Sequence, residues 1–270
     1  MKMTFTGPES GVKAKYSWDS KNKNLGKGYL EIKESVPNEY IILDMCFMEN
    51  AVSTGKFLFT RDTTNVSVVW TLESDMGKNP LAKYFGLLMD KMVGSDFEKG
   101  LNEIKRITEK EYNDELKYPV NEINTDNVCA LTMRIQCKQK EISEKMAQGY
   151  GELMKTMTEK KLKMSGPPFA IYHAFDKLSG VDMELGLPVN ACVRLLKGDI
   201  SCTNFDAFKA ASVNYYGAYE GTVKAHEMIG KWVKKNNKTV IGPPWEIYKT
   251  DPGMEKDTSK WLTVIIYPIR

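Results

Sequence analysis

Gly242-Pro243-Pro244-Trp245-Glu246-Ile247-Tyr248 repeats Gly166-Pro167-Pro168-Phe169-Ala170-Ile171-Tyr172 at a distance of 76 residues, with one change of chemistry. In each copy a rigid Gly-Pro-Pro turn feeds a short apolar and aromatic run, the pattern of a strand entered from a turn. Neighbours on a strand point to opposite faces. Trp245 and Ile247 are therefore expected on one face, and Glu246 and Tyr248 on the other, about 7 Å apart by strand rise. The first copy keeps its tyrosine, Tyr172, but has Ala170 where the second has a carboxylate.

Outward from these turns, the same order of elements is predicted twice. Val128–Gln136 reads as a strand, Glu141–Leu162 as an amphipathic helix, then the Gly-Pro-Pro strand ending near Phe175, then Val181–Val189. Ala207–Tyr215, Tyr219–Lys235, Val240–Lys249 and Leu262–Ile269 repeat that order. Neither βαββ copy, about 118–190 and 203–270, buries a sheet face alone. The two are expected to pair about a pseudo-two-fold axis and form one cleft, with Tyr172 and Tyr248 on opposite walls.

Ahead of this lies a different texture. Val12–Trp18, Lys27–Glu34, Tyr40–Met48, Ser53–Arg61 and Asn65–Glu73 alternate as an antiparallel meander. Leu81, Phe85, Leu88, Met92, Phe97, Leu101 and Ile104 then recur at helical spacing. A long helix to Ile107 is expected, with a kink near Gly94-Ser95-Asp96, and the charged stretch 109–117 reads as the end of that helix plus a linker. The fold class is thus α+β, with a first domain at 1–108 and a second at 118–270.

Composition narrows the function classes. The chain has 270 residues, 38 basic and 35 acidic, for a net charge of +3. That balance argues against nucleic-acid binding by bulk electrostatics. No run approaches the ~18–20 apolar residues of a membrane span. Five cysteines, Cys46, Cys129, Cys137, Cys192 and Cys202, show no CxxC spacing, and the histidines are His173 and His226. No disulfide framework, metal site or cofactor is expected. Reduced cysteines and the lack of an apolar leader after Met1 favour the cytoplasm. There is no phosphate loop, Ser-His-Asp arrangement or nucleotide fingerprint.

Gly7-Pro8-Glu9-Ser10-Gly11-Val12, Tyr16-Ser17-Trp18, Gly26-Lys27-Gly28, Asp90-Lys91-Met92 and Asp96-Phe97-Glu98-Lys99-Gly100-Leu101 resemble a START-like (SRPBCC, polyketide-cyclase) helix-grip domain. That family opens with a strand and two short helices that cap a ligand cavity, and this sequence begins after them. The resemblance therefore implies an open cavity or an upstream start, and no chemical site is placed in this half.

From Tyr118 onward, Tyr216-Gly217-Ala218-Tyr219, Gly242–Tyr248 with Lys249-Thr250-Asp251-Pro252-Gly253, and the final Tyr267-Pro268-Ile269 resemble the GyrI-like effector-binding domain. This is the small-molecule module of many bacterial transcription activators. The resemblance implies a bacterial ligand-binding protein in which Glu246, among aromatics, receives a hydrophobic or aromatic molecule, cationic ones included. It also implies an alternative, since some standalone members hydrolyse strained cyclopropane electrophiles with that glutamate and a tyrosine, here Glu246 and Tyr248. Many relatives carry a histidine before the glycine of Tyr216-Gly217, and this chain does not.

From the residues alone, a carboxylate buried among aromatics is expensive unless paired. It either takes a cation, helped by aromatic faces, or acts as a base with a tyrosine as proton donor. The ligand-binding set is Glu246, Tyr248, Tyr172, Trp245, Tyr216 and Tyr219, although the residue type and setting of Trp245 favour packing, and Tyr216 and Tyr219 suit a helix cap as well as a cleft mouth. His173 reads as a packed or surface histidine. His226, at helical spacing with Val223 and Ile229, reads as core. No helix-turn-helix is recognisable, so a small molecule rather than DNA is the expected partner.

Overall fold

The computed structural model describes residues 2–21, 26–47, 51–74, 89–176, 180–193 and 198–270. The chain divides into two compact units, Met1–Glu109 and Lys110–Arg270. Both are antiparallel sheets with few helices.

The first unit is a six-stranded meander in chain order: β1 (Lys2–Thr6), β2 (Lys15–Asp19), β3 (Lys27–Val36), β4 (Tyr40–Phe47), β5 (Ala51–Arg61) and β6 (Val66–Ser74). The predicted strands are all there, joined by β1, an edge strand exposed at every position. Helix α1 is described from Met89 to Lys117, so the expected turns at Leu81, Phe85 and Leu88 lie outside the described residues. It runs unbroken through Gly94, where a kink was expected. Phe97 stacks on Trp70 at 4.0 Å, and Trp70 on Phe57 at 4.7 Å, which seats the helix on the sheet.

The expected linker at 109–117 is helix. Three of its charges share one face of the last turns of α1, which belong to the second unit, and are paired within it: Glu111 with Lys231, Asp114 with Lys224 at 2.9 Å, and Glu115 with Lys235 at 3.1 Å. A charge run at three- and four-residue spacing reads equally well as linker or helix until its partners are known.

The second unit is one eight-stranded sheet. Its strands are β7 (Asn121–Asn124), β8 (Val128–Cys137), β9 (Phe169–Asp176), β10 (Gly180–Pro188), β11 (Ile200–Phe205), β12 (Lys209–Tyr216), β13 (Trp245–Tyr248) and β14 (Leu262–Pro268). They lie in the order β11-β8-β10-β9-β13-β14-β12-β7. Helices α2 (Ile142–Glu159) and α3 (Val223–Lys235) follow β8 and β12 respectively. Strand, helix, strand, strand thus occurs twice in chain order. The edge strands β7 and β11 were not anticipated, because Asn-Glu-Ile-Asn and Ile-Ser-Cys-Thr-Asn-Phe carry too little apolar alternation to announce themselves.

At the centre of the sheet β9 pairs with β13, and the two Gly-Pro-Pro turns clasp each other. Tyr172 N–H donates to the Pro244 carbonyl and Tyr248 N–H to the Pro168 carbonyl, each at 2.9 Å. Proline has no N–H to offer, so these turns can only accept, and each accepts from the tyrosine of the other copy. This exchange sets Glu246 directly across from Ala170.

The helices cover one face over two apolar clusters, one built on Leu131, Leu153, Met183 and Leu185, the other on Val213, Met228, Ile229 and Ile265. The other face carries Phe169, Ile171, Trp245 and Ile266. There Phe169 lies over its register partner Gly186, where a built Cβ would meet the ring at 2.1 Å. The ring is itself stacked on Trp245 at 4.7 Å and cannot easily retreat. Gly186→Ala is therefore expected to destabilise the protein by about 1–3 kcal/mol through overpacking, read as a lower urea midpoint at unchanged slope.

A single cross-link departs from expectation. Cys192 and Cys202 are joined in a disulfide. Residue spacing could not show it, since the partner is delivered by β11 pairing with β8, and that pairing was unseen.

Candidate functional site

Glu246 is 5% exposed. It lies on β13 with its side chain on the helix-covered face, and four side chains from four elements form its hydrogen-bond network. Tyr248, two residues along the strand, donates to Oε2 at 3.0 Å, and Tyr172 on β9 donates to the same oxygen at 3.3 Å. With both phenol hydrogens spent there, the 3.4 Å between the two hydroxyls is proximity. Oε1 lies 2.9 Å from Nε2 of His226 on α3, and His226 Nδ1 lies 3.0 Å from the Tyr267 hydroxyl on β14. In the neutral ring, Nε2–H donates to Glu246 and Nδ1 accepts from Tyr267. In the imidazolium both nitrogens donate.

Burial first, and the Glu246 charge second, push the phenols of Tyr172 and Tyr248 well above the ordinary tyrosine range. The same causes raise Tyr267. Burial, then Asp251 and Glu246, raise Tyr219. All four phenols therefore stay protonated at neutral pH, and Tyr172 and Tyr248 meet the carboxylate as neutral donors. Tyr150 of α2, its hydroxyl on the Phe169 carbonyl at 2.8 Å, is raised by burial with Tyr172 and Glu246 contributing. Among the described residues, His226 is the basic side chain beside Glu246, at 2.9 Å, and no lysine or arginine is paired with it.

Of the predicted residues, Glu246, Tyr248 and Tyr172 come together. Tyr219 joins them, its ring edge-on to Tyr248 at 5.3 Å and tilted against Trp261 at 5.2 Å. The two tyrosines expected on opposite walls stand on adjacent strands and share one oxygen. Trp245 does not join. The two-residue period of β13 turns it to the other face, where with Phe205, Phe208 and Ile171 it lines a groove of about 260 Å³. Tyr216 ends β12 pointing outward and is 58% exposed, while Tyr215 points in and stacks with Tyr118 at 6.3 Å. His173 is exposed and pairs with Glu184 at 3.1 Å, as a surface histidine does.

His226 corrects the reading of that residue as core. Helical spacing with apolar neighbours placed it on the inner face of α3 rightly, but the inner face there meets a carboxylate. A signal was present in the sequence: 76 residues before His226, the distance separating the two Gly-Pro-Pro turns, stands Tyr150, another ring with a polar tip. In the sequence Tyr267 is marked only as part of the closing Tyr-Pro-Ile.

No family model matches this chain, and no curated protein matches it. Solved structures do. The cryo-EM structure of the EcmrR-DNA complex in EcmrR-RPo is similar over 72% of this chain and 73% of its own, at 18% identity and a TM-score of 0.54. The EcmrR C-terminal domain is similar over 57% of this chain and 98% of its own, at 21% identity and a TM-score of 0.50. A hydrolase from Listeria innocua is a weaker likeness, at 10% identity and a TM-score of 0.44 over 60% of this chain and 98% of its own. The chain carries a GyrI-like fold. No described helix is long and apolar enough to cross a membrane.

Proposed function

We propose that this chain is a small-molecule receptor whose GyrI-like unit holds a hydrophobic, aromatic ligand, preferentially a cation, against Glu246. The observation that carries the reading is the carboxylate itself: buried, oriented by two tyrosines and a histidine, and paired with no lysine or arginine among the described residues. A buried charge is unfavourable by several kcal/mol unless countered. The tyrosines solvate it without neutralising it, so a lipophilic cation resting on the rings of Tyr172, Tyr219 and Tyr248 would complete the charge balance. A proton on His226 is the competing way to neutralise the same oxygen.

In this reading the second unit is a duplicated βαββ module with a pseudo-two-fold axis between β9 and β13. The exchanged hydrogen bonds of the two turns support it. So do Lys161 and Asn237, 76 residues apart and both at φ 53°. The first unit is read as a START-like helix-grip sheet, supported by the meander and the Trp70–Phe97 contact. The protein would be bacterial and cytoplasmic and would answer xenobiotics without contacting DNA itself. The test is fluorescence titration with tetraphenylphosphonium beside its neutral isostere tetraphenylmethane-type analogue. Tighter binding of the cation is expected, and equal affinity for the two would sink the charge argument.

A second reading is favoured by the hydrogen-bond chain Tyr267–His226–Glu246. A carboxylate held on one oxygen by histidine, with tyrosine donors at the other, is also the arrangement of a base beside a proton donor. The chain would then be a hydrolase of strained electrophiles, Glu246 activating water and Tyr248 or Tyr172 protonating the leaving carbon. Incubation with a cyclopropane-bearing electrophile checks it; the expected loss in Glu246→Gln must accompany any acceleration over buffer.

A further inference from the structure

The geometry points to a second site, unconnected with Glu246: a three-sulfur seat for a thiophilic d10 metal ion, formed by Cys129, Cys192 and Cys202 when the Cys192–Cys202 disulfide is reduced. The three side chains come from separate places. Cys129 lies on β8, Cys202 on the neighbouring edge strand β11, and Cys192 on the segment that leaves the end of β10. Their sulfurs all lie within 4.8 Å of one another.

Spacing is the argument for a metal over packing. An ion of the zinc class sits about 2.3 Å from each thiolate, which spaces the sulfurs by roughly 3.8–4.0 Å in tetrahedral or trigonal geometry. Cys129 Sγ and Cys202 Sγ stand 3.9 Å apart. They are fixed there by the pairing of β8 with β11, which sets Asn204 across from Cys129 and Cys202 across from Leu131, so the two cysteines are diagonal neighbours. Two ligands are thus held at the right separation by the rigid sheet, while the third, on the exposed Cys192, has only to swing off its disulfide partner. Soft thiolates select zinc, cadmium or copper(I) over hard cations. The fourth position would face solvent.

The chemistry balances with a thiol reductant. A dithiol passes two electrons and two protons to the Cys192–Cys202 bond and leaves as its own disulfide. On binding a divalent ion, the three thiols release three protons to solvent, giving a site of net charge −1. Disulfide and metal therefore exclude each other, and the oxidised protein is the unloaded form. Neither of the remaining cysteines, Cys46 and Cys137, belongs to the cluster.

The test uses the tag-free full chain, reduced with a phosphine, freed of oxygen and titrated with cadmium. A sulfur-to-cadmium charge-transfer absorbance is expected to rise and stop at one equivalent. It should be lost in Cys129→Ser, Cys192→Ser and Cys202→Ser, kept in Cys46→Ser, and missing from the oxidised wild type. Cys192 is exposed, so Cys192→Ser keeps the fold, as circular dichroism will register. A band that survives in Cys129→Ser, Cys192→Ser or Cys202→Ser, or no band in the reduced wild type, overturns the proposal.

Discussion

Glu246→Gln is expected to weaken binding of a lipophilic cation by roughly 30- to 1000-fold, on the order of 2–4 kcal/mol, and to leave a neutral ligand of the same shape within about threefold. The substitution is close to isosteric. Its amide oxygen still accepts from Tyr172 and Tyr248, and the rings that would form the apolar walls are untouched. What disappears is the charge. The amide nitrogen then faces His226 Nε2, so the ring must present that nitrogen as an acceptor and turn Nδ1–H towards Tyr267. Without ligand the same variant should be no less stable than the parent, because a buried charge of this kind is weakly supportive of folding at best. Matched titrations and thermal melts read both quantities. Equal losses for cation and neutral ligand would show that Glu246 supports the local packing and does not attract charge.

Much of the second unit could be read from its residues because two independent signals agree there. The Gly-Pro-Pro turns fix where β9 and β13 begin, and the period of two fixes which side Glu246 faces. The same period excludes Trp245 from the site, a consequence that follows directly from placing Glu246 and Tyr248 together. Edge strands β7 and β11 escaped because an edge needs little apolar surface, and their partners lie far off in the sequence. With them escaped the approach of Cys202 to Cys129 and Cys192. His226 was misassigned for a more general reason. Periodicity tells which side of a helix faces inward, but not whether the surface it meets there is apolar or charged. Residues 110–117, which belong to the second unit, read as a tether because nothing local identifies the lysine partners of Glu111, Asp114 and Glu115 on α3.

Ala170→Glu is expected to be among the most damaging single substitutions in this protein, and the damage should depend on pH. Ala170 is fully buried, and β9 sets it directly across from Glu246. Side chains in that relation have Cβ atoms about 4.5–5.5 Å apart. A second carboxylate there finds its tyrosine donors already committed and a like charge opposite, a loss of about 3–5 kcal/mol, with about 1–3 kcal/mol more from forcing a longer side chain into a filled space. Against a typical total of about 5–15 kcal/mol, little stability remains. Ala170→Gln has the same bulk without the charge, so the difference between the two variants isolates the electrostatic share. Two facing carboxylates hold one proton between them, which raises the folded-state pKa above the unfolded value of about 4.3. The native state then binds more protons than the unfolded chain, and stability falls as pH rises through that interval. Urea denaturation at about pH 5 and about pH 8 should therefore find the Glu variant close to the Gln variant at the acid end and well below it at the alkaline end. Identical behaviour at both would mean that position 170 does not feel the charge on Glu246, and the account of a paired module carrying one carboxylate at its seam would fall. A repeated unit that placed a carboxylate in both copies would meet this repulsion at its own centre. One glutamate facing one alanine leaves a single charge at the seam, the charge that the proposed function assigns to a ligand, and avoids that repulsion.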